Sequence, residues 1–231
     1  MSYHIATQTV HAGREDLTRL GVHATPIDLS STYPTPDPTL AGESLDALVG
    51  GAEHAANPVY ARLYNPTVAR FEHALATLEG AEEAVAFGSG MAALTAVLLA
   101  LQEHGRHIVA VRPLYGGSDH LLATGLLGTS VSFVDADDVA DAIRADTALV
   151  LIETPANPTL HLVDIADVVR QAGTVPVLVD STFATPILQR PLEHGAAMVL
   201  HSATKFLGGH GDVVAGVVAC SAALAGKLRQ V

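Results

Sequence analysis

Apolar positions divide the chain into an irregular first part and a regular second part. Five prolines interrupt the first 58 residues, and the spacing there predicts a single short helix, near residues 43–49. From about residue 67, short apolar runs alternate with segments whose apolar positions recur at helical spacing. The first part cannot bury much of its own surface. We therefore expect residues 1–58 to form an arm that packs on something else, such as a partner subunit.

The regular part predicts a mainly parallel sheet that helices cover on both faces. The predicted strands are 83–87, 108–111, 130–134, 148–152, 175–179 and 198–200. The predicted helices are 68–78, 91–101, 118–127, 138–144 and 165–172, and another begins at residue 222. Strands that alternate with helices in this way indicate an α/β fold. Ligands of such sheets bind at the carboxyl ends of the strands, so the residues that follow each strand are the first to inspect.

Charge and cysteine content limit the partners and the compartment. The formal net charge of −12 at pH 7 opposes binding to nucleic acid or to an anionic membrane. Cys220 is the single cysteine, so no intramolecular disulfide can form, which suits a reducing compartment. No run approaches the roughly 18 apolar residues of a membrane span, and we expect a cytoplasmic protein. We predict no metal site, and we expect these histidines on the surface or supporting a site: His104, His107, His201 and His210.

One of only two lysines lies in an unusual setting. Lys205 follows the apolar run 196–200 and is surrounded by small hydroxylated residues and glycines. Apolar surroundings lower the pKa of an ammonium, and a neutral amine can attack a carbonyl carbon. This is the chemistry of a lysine that forms a Schiff base. The alternative is a lysine on an exposed turn, but the scarcity of lysine and the neighbouring Ser202 and Thr204 favour a functional role.

Two further strand ends carry groups that complement this lysine. Ser89 and Gly90 join strand 83–87 to a helix, where free backbone N–H groups bind anions. Such a turn is weak evidence on its own. Asp180 ends the apolar strand 175–179, and its alternative role is to cap a following helix. A phosphate-binding turn, an aldehyde-reactive lysine and a carboxylate for a ring nitrogen are the three contacts that pyridoxal 5′-phosphate (PLP) requires.

Two more residues follow predicted strands. Tyr115 could stack on the cofactor ring, although an aromatic residue at such a position most often packs in the core. Asn157 lies between two prolines, where it could shape a turn, and its amide could also reach the ring hydroxyl.

Segments along most of the chain resemble the PLP-dependent enzymes of cysteine and methionine metabolism, such as cystathionine γ-lyases and methionine γ-lyases. They are 7–13, 60–67, 78–80, 89–91, 154–158, 180–186 and 202–205. The resemblance implies fold type I with a seven-stranded sheet, an N-terminal arm over residues 1–58 and a PLP-binding large domain over residues 59–231. Members of the family continue into a smaller C-terminal domain that supplies an arginine for the substrate carboxylate. We therefore expect that domain to be absent from a truncated chain.

The resemblance also implies a role for each candidate residue. Lys205 binds the cofactor aldehyde, Asp180 pairs with the ring nitrogen and Asn157 approaches the ring hydroxyl. Tyr115 stacks on the ring and helps to move protons. The phosphate is bound by the following residues: Ser89, Gly90, Met91, Ser202 and Thr204.

Two residues near the arm are implied to act in a second subunit. Tyr60 and Arg62 resemble the pair that family members extend into a neighbouring subunit's phosphate site, where Tyr60 also takes part in catalysis. This implies a homodimer or homotetramer. The alternative is that both lie on a surface loop.

The function implied is γ-elimination or γ-replacement on a sulfur amino acid. Our first expectation is a cystathionine γ-lyase, which converts L-cystathionine to cysteine, 2-oxobutanoate and ammonia. Cystathionine γ-synthase and O-acylhomoserine sulfhydrylase are alternatives. Methionine γ-lyase is less expected, because Gly117 stands where those enzymes carry a cysteine. An inactive PLP-binding fragment is an alternative of another class. A plain phosphate- or nucleotide-binding domain would leave Lys205, Asp180 and Tyr115 unexplained.

Overall fold

A seven-stranded mixed sheet organises the computed structural model, which describes residues 3–231. Its strand order is β1-β7-β6-β5-β4-β2-β3. Strand β7 runs antiparallel to both neighbours, and the other paired strands run parallel. The mainly parallel sheet predicted from the sequence is therefore confirmed. In chain order the strands are Glu83–Phe87, His107–Val111, Ser130–Val134, Thr147–Glu153, Val177–Asp180, Met198–His201 and Gly216–Cys220.

Helices precede the sheet and cover it. Helices α1 to α10 are Ile5–His11, Leu17–Leu20, Pro38–Val49, Pro66–Glu79, Gly90–Ala100, Gly116–Thr124, Val139–Ala142, Ile165–Ala172, Thr185–Leu188 and Ala222–Arg229. Short 3₁₀ helices lie at Gln102–His104, Ala136–Asp138 and Pro191–His194. None of the helices described is both long and apolar enough to cross a membrane.

Alternate residues of each strand face apolar cores on opposite sides of the sheet. Both faces are buried, and the strands are therefore continuous apolar runs in the sequence. In β2, Ile108 packs in the core that includes Leu98 of α5 and Leu122 of α6. The next residue, Val109, packs in the opposite core with Val168 of α8. Burying each such side chain contributes on the order of 1.5–3 kcal/mol, so both helix layers are held to the sheet by its two faces.

The first 58 residues contain more helix than the single short one predicted. Three helices form there, and α3 begins at Pro38 instead of near residue 43. Proline lacks the N–H that the first helical turn leaves unpaired, so at this position it starts a helix and does not interrupt one. The Asp37 carboxylate caps the helix by accepting N–H bonds from Thr39 and Leu40, at 2.9 and 3.3 Å.

The arm packs partly on its own chain. Arg70 of α4 donates from Nη1 to Asp16 Oδ1 and to the Gly13 carbonyl oxygen, both at 2.6 Å. Other parts remain open, and the Leu29 side chain is 91% exposed. Residues 1–58 are thus tied to α4 near Gly13 and leave apolar surface uncovered near Leu29.

Other element predictions were incomplete. Strand β7 and helix α9 were not predicted, and α7 is shorter than the helix predicted at 138–144. The expectation of a surface or supporting position was wrong for His107, which is fully buried between Thr147 Oγ1 at 2.8 Å and Ser132 Oγ at 2.9 Å. His201 is also fully buried, where its Nε2 lies 2.5 Å from Glu79 Oε1.

Candidate active site

A cavity of about 240 Å³ lies at the carboxyl edge of the sheet. Strands β4, β5 and β6 end at it, and α5 and α6 begin at it. All but two of the candidate residues predicted from the sequence line this one cavity. They are Ser89, Gly90, Met91, Tyr115, Asn157, Asp180, Ser202, Thr204 and Lys205.

The start of α5 forms one wall. Ser89 caps the helix by accepting an N–H bond from Ala92 at 3.1 Å. The N–H groups of Gly90 and Met91 belong to the first turn, where they lack a partner within the helix. A side chain at Gly90 would place its Cβ 2.8 Å from Ser202 Cβ. Only glycine therefore lets the helix start approach the Ser202 hydroxyl, and the result is an anion-binding cradle.

Asp180 is fixed by a chain of hydrogen bonds. Its Oδ1 accepts from the backbone N–H of Thr182 at 3.1 Å and from the Thr182 hydroxyl at 2.5 Å. The Thr182 oxygen in turn accepts from the Ser202 N–H at 2.8 Å. Burial raises the pKa of Asp180, while the Thr182 bonds and nearby His201 oppose that rise. The alternative role as a helix cap does not apply, because Ala184 occupies the position before α9.

Lys205 occupies a different setting from the one the sequence argument assumed. The residue is exposed instead of being enclosed by apolar groups. A second cavity, of about 700 Å³, shares Phe183, Thr204 and Lys205 with the first. Lys205 therefore stands where the two cavities meet, and its amine can be reached from outside.

Thr204 is less free than expected. Its Oγ1 accepts from the Ala215 N–H at 3.1 Å and lies 3.2 Å from the Ala215 carbonyl oxygen, to which it donates. The hydroxyl proton is thus already used within the chain. A phosphate would have to compete for it.

Sequence reasoning gave Glu153 no role, although it ends a fully buried strand at this edge. Its side-chain oxygens accept the backbone N–H groups of Tyr115 and of Asn157, the latter at 2.8 Å. Burial and the neighbouring Asp180 charge raise the pKa of Glu153 to about 7, while the two backbone bonds oppose the rise. The register of strands β4 and β5 places Glu153 beside Asp180, and this pairing would have identified Glu153 as a site residue.

Tyr60 and Arg62 are not brought to this cavity by their own chain. Tyr60 pairs with Thr32 in an isolated bridge and is 41% exposed. The Arg62 guanidinium carbon lies 5.4 Å from the centre of the Tyr60 ring. Arg62 lines a separate cavity of about 640 Å³ that also includes Glu72 and Arg229.

The residues of the 240 Å³ cavity fit PLP chemically. The Gly90 cradle offers free N–H groups for a phosphate, Asp180 offers a partly buried carboxylate for a ring nitrogen, and Lys205 offers an accessible amine for an aldehyde.

Comparison with known proteins also indicates a PLP-dependent enzyme. A family model described as Cys/Met metabolism PLP-dependent enzyme matches residues 6–231. An L-methionine γ-lyase from Streptomyces avermitilis is 63% identical over 227 residues, which cover 97% of this chain and 55% of that protein. Another from Brevibacterium aurantiacum is 59% identical over 233 residues, which cover 100% and 57%. The chain spans somewhat more than half the length of these relatives.

A solved structure agrees with the sheet topology. The cystathionine γ-lyase from Lactobacillus plantarum, crystallised with L-serine, superposes with a TM-score of 0.85 at 32% sequence identity. The superposition covers 99% of this chain and 58% of that one. The type I fold that the sequence implied is confirmed.

Proposed function

The chain belongs to the PLP-dependent enzymes of cysteine and methionine metabolism, and on that premise we propose that it catalyses elimination at the γ-carbon of a sulfur amino acid. One observation carries the proposal: Lys205, Asp180 and the start of α5 line a single cavity at the sheet edge. They supply an amine, a partly buried carboxylate and free backbone N–H groups. A plain phosphate-binding site would use only the N–H groups.

The phosphate end would be held mainly by α5. The N–H groups of Gly90 and Met91 and the hydroxyls of Ser89 and Ser202 can all donate to phosphate oxygens. A helix of eleven residues adds the positive end of its dipole. Thr204 contributes only if its hydroxyl leaves the Ala215 carbonyl oxygen.

The ring end would be held by one group at the end of β5 and by two groups on neighbouring loops. The Asp180 carboxylate would pair with the ring nitrogen, and a positive nitrogen there would stabilise the ionised carboxylate against the effect of burial. The Tyr115 ring would stack on the cofactor, and the Asn157 amide would face the ring hydroxyl. Both residues line the same cavity as Asp180.

Proton transfer is assigned to Lys205 and the tyrosines. When bound, PLP withdraws electrons from the Cα of an attached amino acid and makes its proton acidic. The Lys205 amine would accept that proton at Nζ. Its position where two cavities meet lets it reach substrate that enters from outside. Tyr115, and Tyr60 from a second copy, would assist.

The relatives favour L-methionine as the first substrate to test. Two of them, at 63% and 59% identity, are named L-methionine γ-lyase. These names weigh against the expectation that Gly117 disfavours a methionine γ-lyase. An added Cβ at Gly117 would lie 2.5 Å from Tyr115 Cε1. A cysteine at this position would therefore displace the Tyr115 ring. L-Cystathionine, the substrate of transsulfuration that the sequence argument preferred, is the second candidate. γ-Replacement, as in cystathionine γ-synthase or O-acylhomoserine sulfhydrylase, is the third.

A product assay separates these candidates. L-Methionine should give methanethiol, 2-oxobutanoate and ammonia, whereas L-cystathionine would give cysteine, 2-oxobutanoate and ammonia. O-Acyl-L-homoserine should be consumed only with a thiol if the reaction is replacement. If PLP binds and none of the three reacts, the proposed activity fails. A PLP-binding chain without turnover is then the remaining function.

The two lysines provide a matched pair of variants. Lys205→Ala should reduce turnover at least about 100-fold, because it removes the amine that binds the aldehyde and accepts the proton. Lys227→Ala should leave turnover unchanged, because Lys227 contacts Glu103 on the surface. Equal loss in both variants would contradict the assignment.

We also propose that residues 1–58 form an arm that contacts a second copy, and that residues 59–231 form the PLP-binding domain. Tyr60 and Arg62 would then reach the second copy's cavity, in a homodimer or homotetramer. Two observations support this: the pair lies outside the Lys205 cavity of its own chain, and Leu29 in the arm is almost fully exposed.

Mixing two inactive variants tests the shared site. Lys205→Ala and Arg62→Ala should each be inactive alone. After subunit exchange, a mixed dimer would contain one site with both changes and one site with neither, so activity should return. No recovery, despite mixed dimers shown by mass spectrometry, would place Arg62 in its own chain's site.

A cytoplasmic location is a further proposal. Cys220 is the single cysteine and is a buried free thiol, so the described chain contains no disulfide, which suits a reducing compartment. Cell fractionation would test the location, and recovery outside the cytoplasm would contradict it.

A further inference from the structure

Glu153 is a buried carboxylate that touches two residues of the proposed ring site. It is 5% exposed and lies at the end of β4. One oxygen accepts the N–H of Tyr115, at the start of α6. The other accepts the N–H of Asn157, in the loop after β4. One side chain therefore ties together two loops that approach the cavity from different elements.

This geometry favours the ionised form of Glu153. Both oxygens face N–H donors, and a carboxylate accepts strongly on both sides. In a protonated carboxyl group the hydroxyl oxygen is a poorer acceptor and its O–H competes for space with the donor, so one of the two bonds would be weakened. The arrangement of Tyr115 and Asn157 thus depends on whether Glu153 carries a proton.

The surroundings oppose ionisation. Asp180, at the end of β5, is the charged group whose field acts on Glu153. Tyr115, just before α6, and Lys205, in the loop after β6, are the other titratable groups that line the same cavity. The cavity-lining residues of α5 carry no charge. Burial, and then the Asp180 charge, raise the pKa of Glu153 to about 7. The group is therefore divided between its two forms near neutral pH.

We propose that Glu153 is a positioning residue that holds Tyr115 and Asn157 against the PLP ring while ionised and loosens one of them when protonated. The link to the ring rests on the proposed function, whereas the hold on the two backbone groups does not. Glu153 would act through Tyr115 and Asn157 and not on the reacting atoms.

The direction of the pH effect follows from charge. A positive ring nitrogen beside Asp180 would offset the Asp180 charge and favour ionised Glu153, so ligand binding would release a proton from Glu153. Affinity should then increase as pH rises through about 7 and decrease as pH falls below it.

Residue-resolved amide exchange by NMR tests the hold on the backbone without any ligand. Glu153→Gln has a single acceptor oxygen, so at least one of the Tyr115 and Asn157 amides should exchange roughly ten- to a hundredfold faster, after correction for the intrinsic rate. Glu153→Asp, which keeps two acceptor oxygens, should restore part of the protection. Unchanged exchange at both amides in Glu153→Gln would overturn the proposal.

Glu72→Gln is the matched control. Glu72 is a partly buried carboxylate whose pKa burial also raises, and it accepts one backbone N–H, that of Ala86, at 2.7 Å. It lines the cavity that contains Arg62 and not the one that contains Lys205. Its substitution should leave exchange at Tyr115 and Asn157 unchanged. If it speeds exchange there equally, the effect is general loosening and the specific role of Glu153 is refuted.

The coupling to the ring site is tested by titration with pyridoxamine 5′-phosphate, which lacks the aldehyde and so does not react with Lys205. The ratio of the Glu153→Gln to the wild-type dissociation constant should grow from about one at pH 6 to roughly ten at pH 8.5. A ratio that is independent of pH would refute the coupling. If the wild-type protein binds neither this probe nor PLP, the proposed function fails, while amide exchange still decides whether Glu153 positions the two loops.

Discussion

At the scale of the residue, the phosphate end depends on the absence of one side chain. Gly90 lies against Ser202, whereas an added Cβ at Gly88 would meet nothing within 4 Å. Both glycines belong to the turn between β1 and α5, but only one borders the cradle closely.

Gly90→Ala should therefore weaken PLP binding about tenfold or more, because the new methyl group would push Ser202 or the helix start out of place. Gly88→Ala should change affinity little. Absorbance titration of both variants with PLP provides the measurement. Equal affinities for the two variants would show that the cradle does not hold the phosphate.

Most of the residues that line the site could be identified from the sequence, since each follows an apolar strand. Glu153 lacked such an identification because its role depends on which strands are neighbours. Strands β4 and β5 pair with Glu153 opposite Asp180, and this pairing is a property of the sheet order. The exposure of Lys205 was also not predicted. The apolar run before Lys205 indicates a buried strand, but it does not indicate whether the turn after that strand is buried or exposed.

At the scale of the element, the cap of α4 also joins the arm to the domain. Asn65 Oδ1 accepts the N–H groups of Thr67 and Val68 at 2.9 and 3.2 Å. Its Nδ2 donates to the Asp28 carbonyl oxygen at 3.3 Å and to the Tyr33 hydroxyl at 3.2 Å. One side chain thus starts a helix and holds the arm.

Two substitutions separate these contributions. Asn65→Ala should lower the free energy of unfolding by about 1–2 kcal/mol, because it removes the cap and the arm contacts together. Asn65→Asp keeps the cap and loses the donated bonds, so it should cost less but increase proteolysis of the arm. Chemical denaturation and limited proteolysis measure the two effects. Equal loss of stability in both variants would contradict this division.

The elements that the sequence failed to predict share physical causes. Strand β7 lies between β1 and β6 and follows a glycine-rich stretch. No helix precedes it directly, so the alternation of strands and helices did not predict it. Helix α3 was partly missed because Pro38 was interpreted as an interruption. Strands β1 and β3 and helix α8 were predicted with their observed bounds, since each is a clear periodic run with a definite stop.

At the scale of the whole molecule, a buried pair connects distant parts of the chain behind the site. His201 ends β6 immediately before Ser202, and Glu79 ends α4, 122 residues earlier. Both side chains are fully buried. Among the described residues, Glu79 Oε2 and His201 Nδ1 have no hydrogen-bond partner. Each side chain therefore depends on the other for its polar contact.

Glu79→Leu alone should destabilise the protein by about 1–3 kcal/mol, because it leaves the His201 ring buried without its hydrogen-bond partner. The double variant Glu79→Leu/His201→Leu should recover part of that loss, since no unpaired polar group remains. Urea denaturation of both variants measures the difference. A double variant that is less stable than the single one would mean that the pair is not coupled.

The relation between copies lies beyond what one chain's residues fix. The motif around Tyr60 and Arg62 implied a second subunit, and the fold leaves both outside the Lys205 cavity. The sequence gives only the spacing of Tyr60 and Arg62 along the chain. It does not give the interface, because an interface depends on surfaces that are formed by the folded chains.

The proposed function requires above all that PLP attach covalently to Lys205. Incubation with PLP, reduction with borohydride and peptide mapping by mass spectrometry test this directly, since reduction makes a Schiff base permanent. We expect the pyridoxyl label on the peptide that contains Lys205 and none on the peptide that contains Lys227. A label confined to Lys227, or no label on a folded protein, would contradict the proposed function.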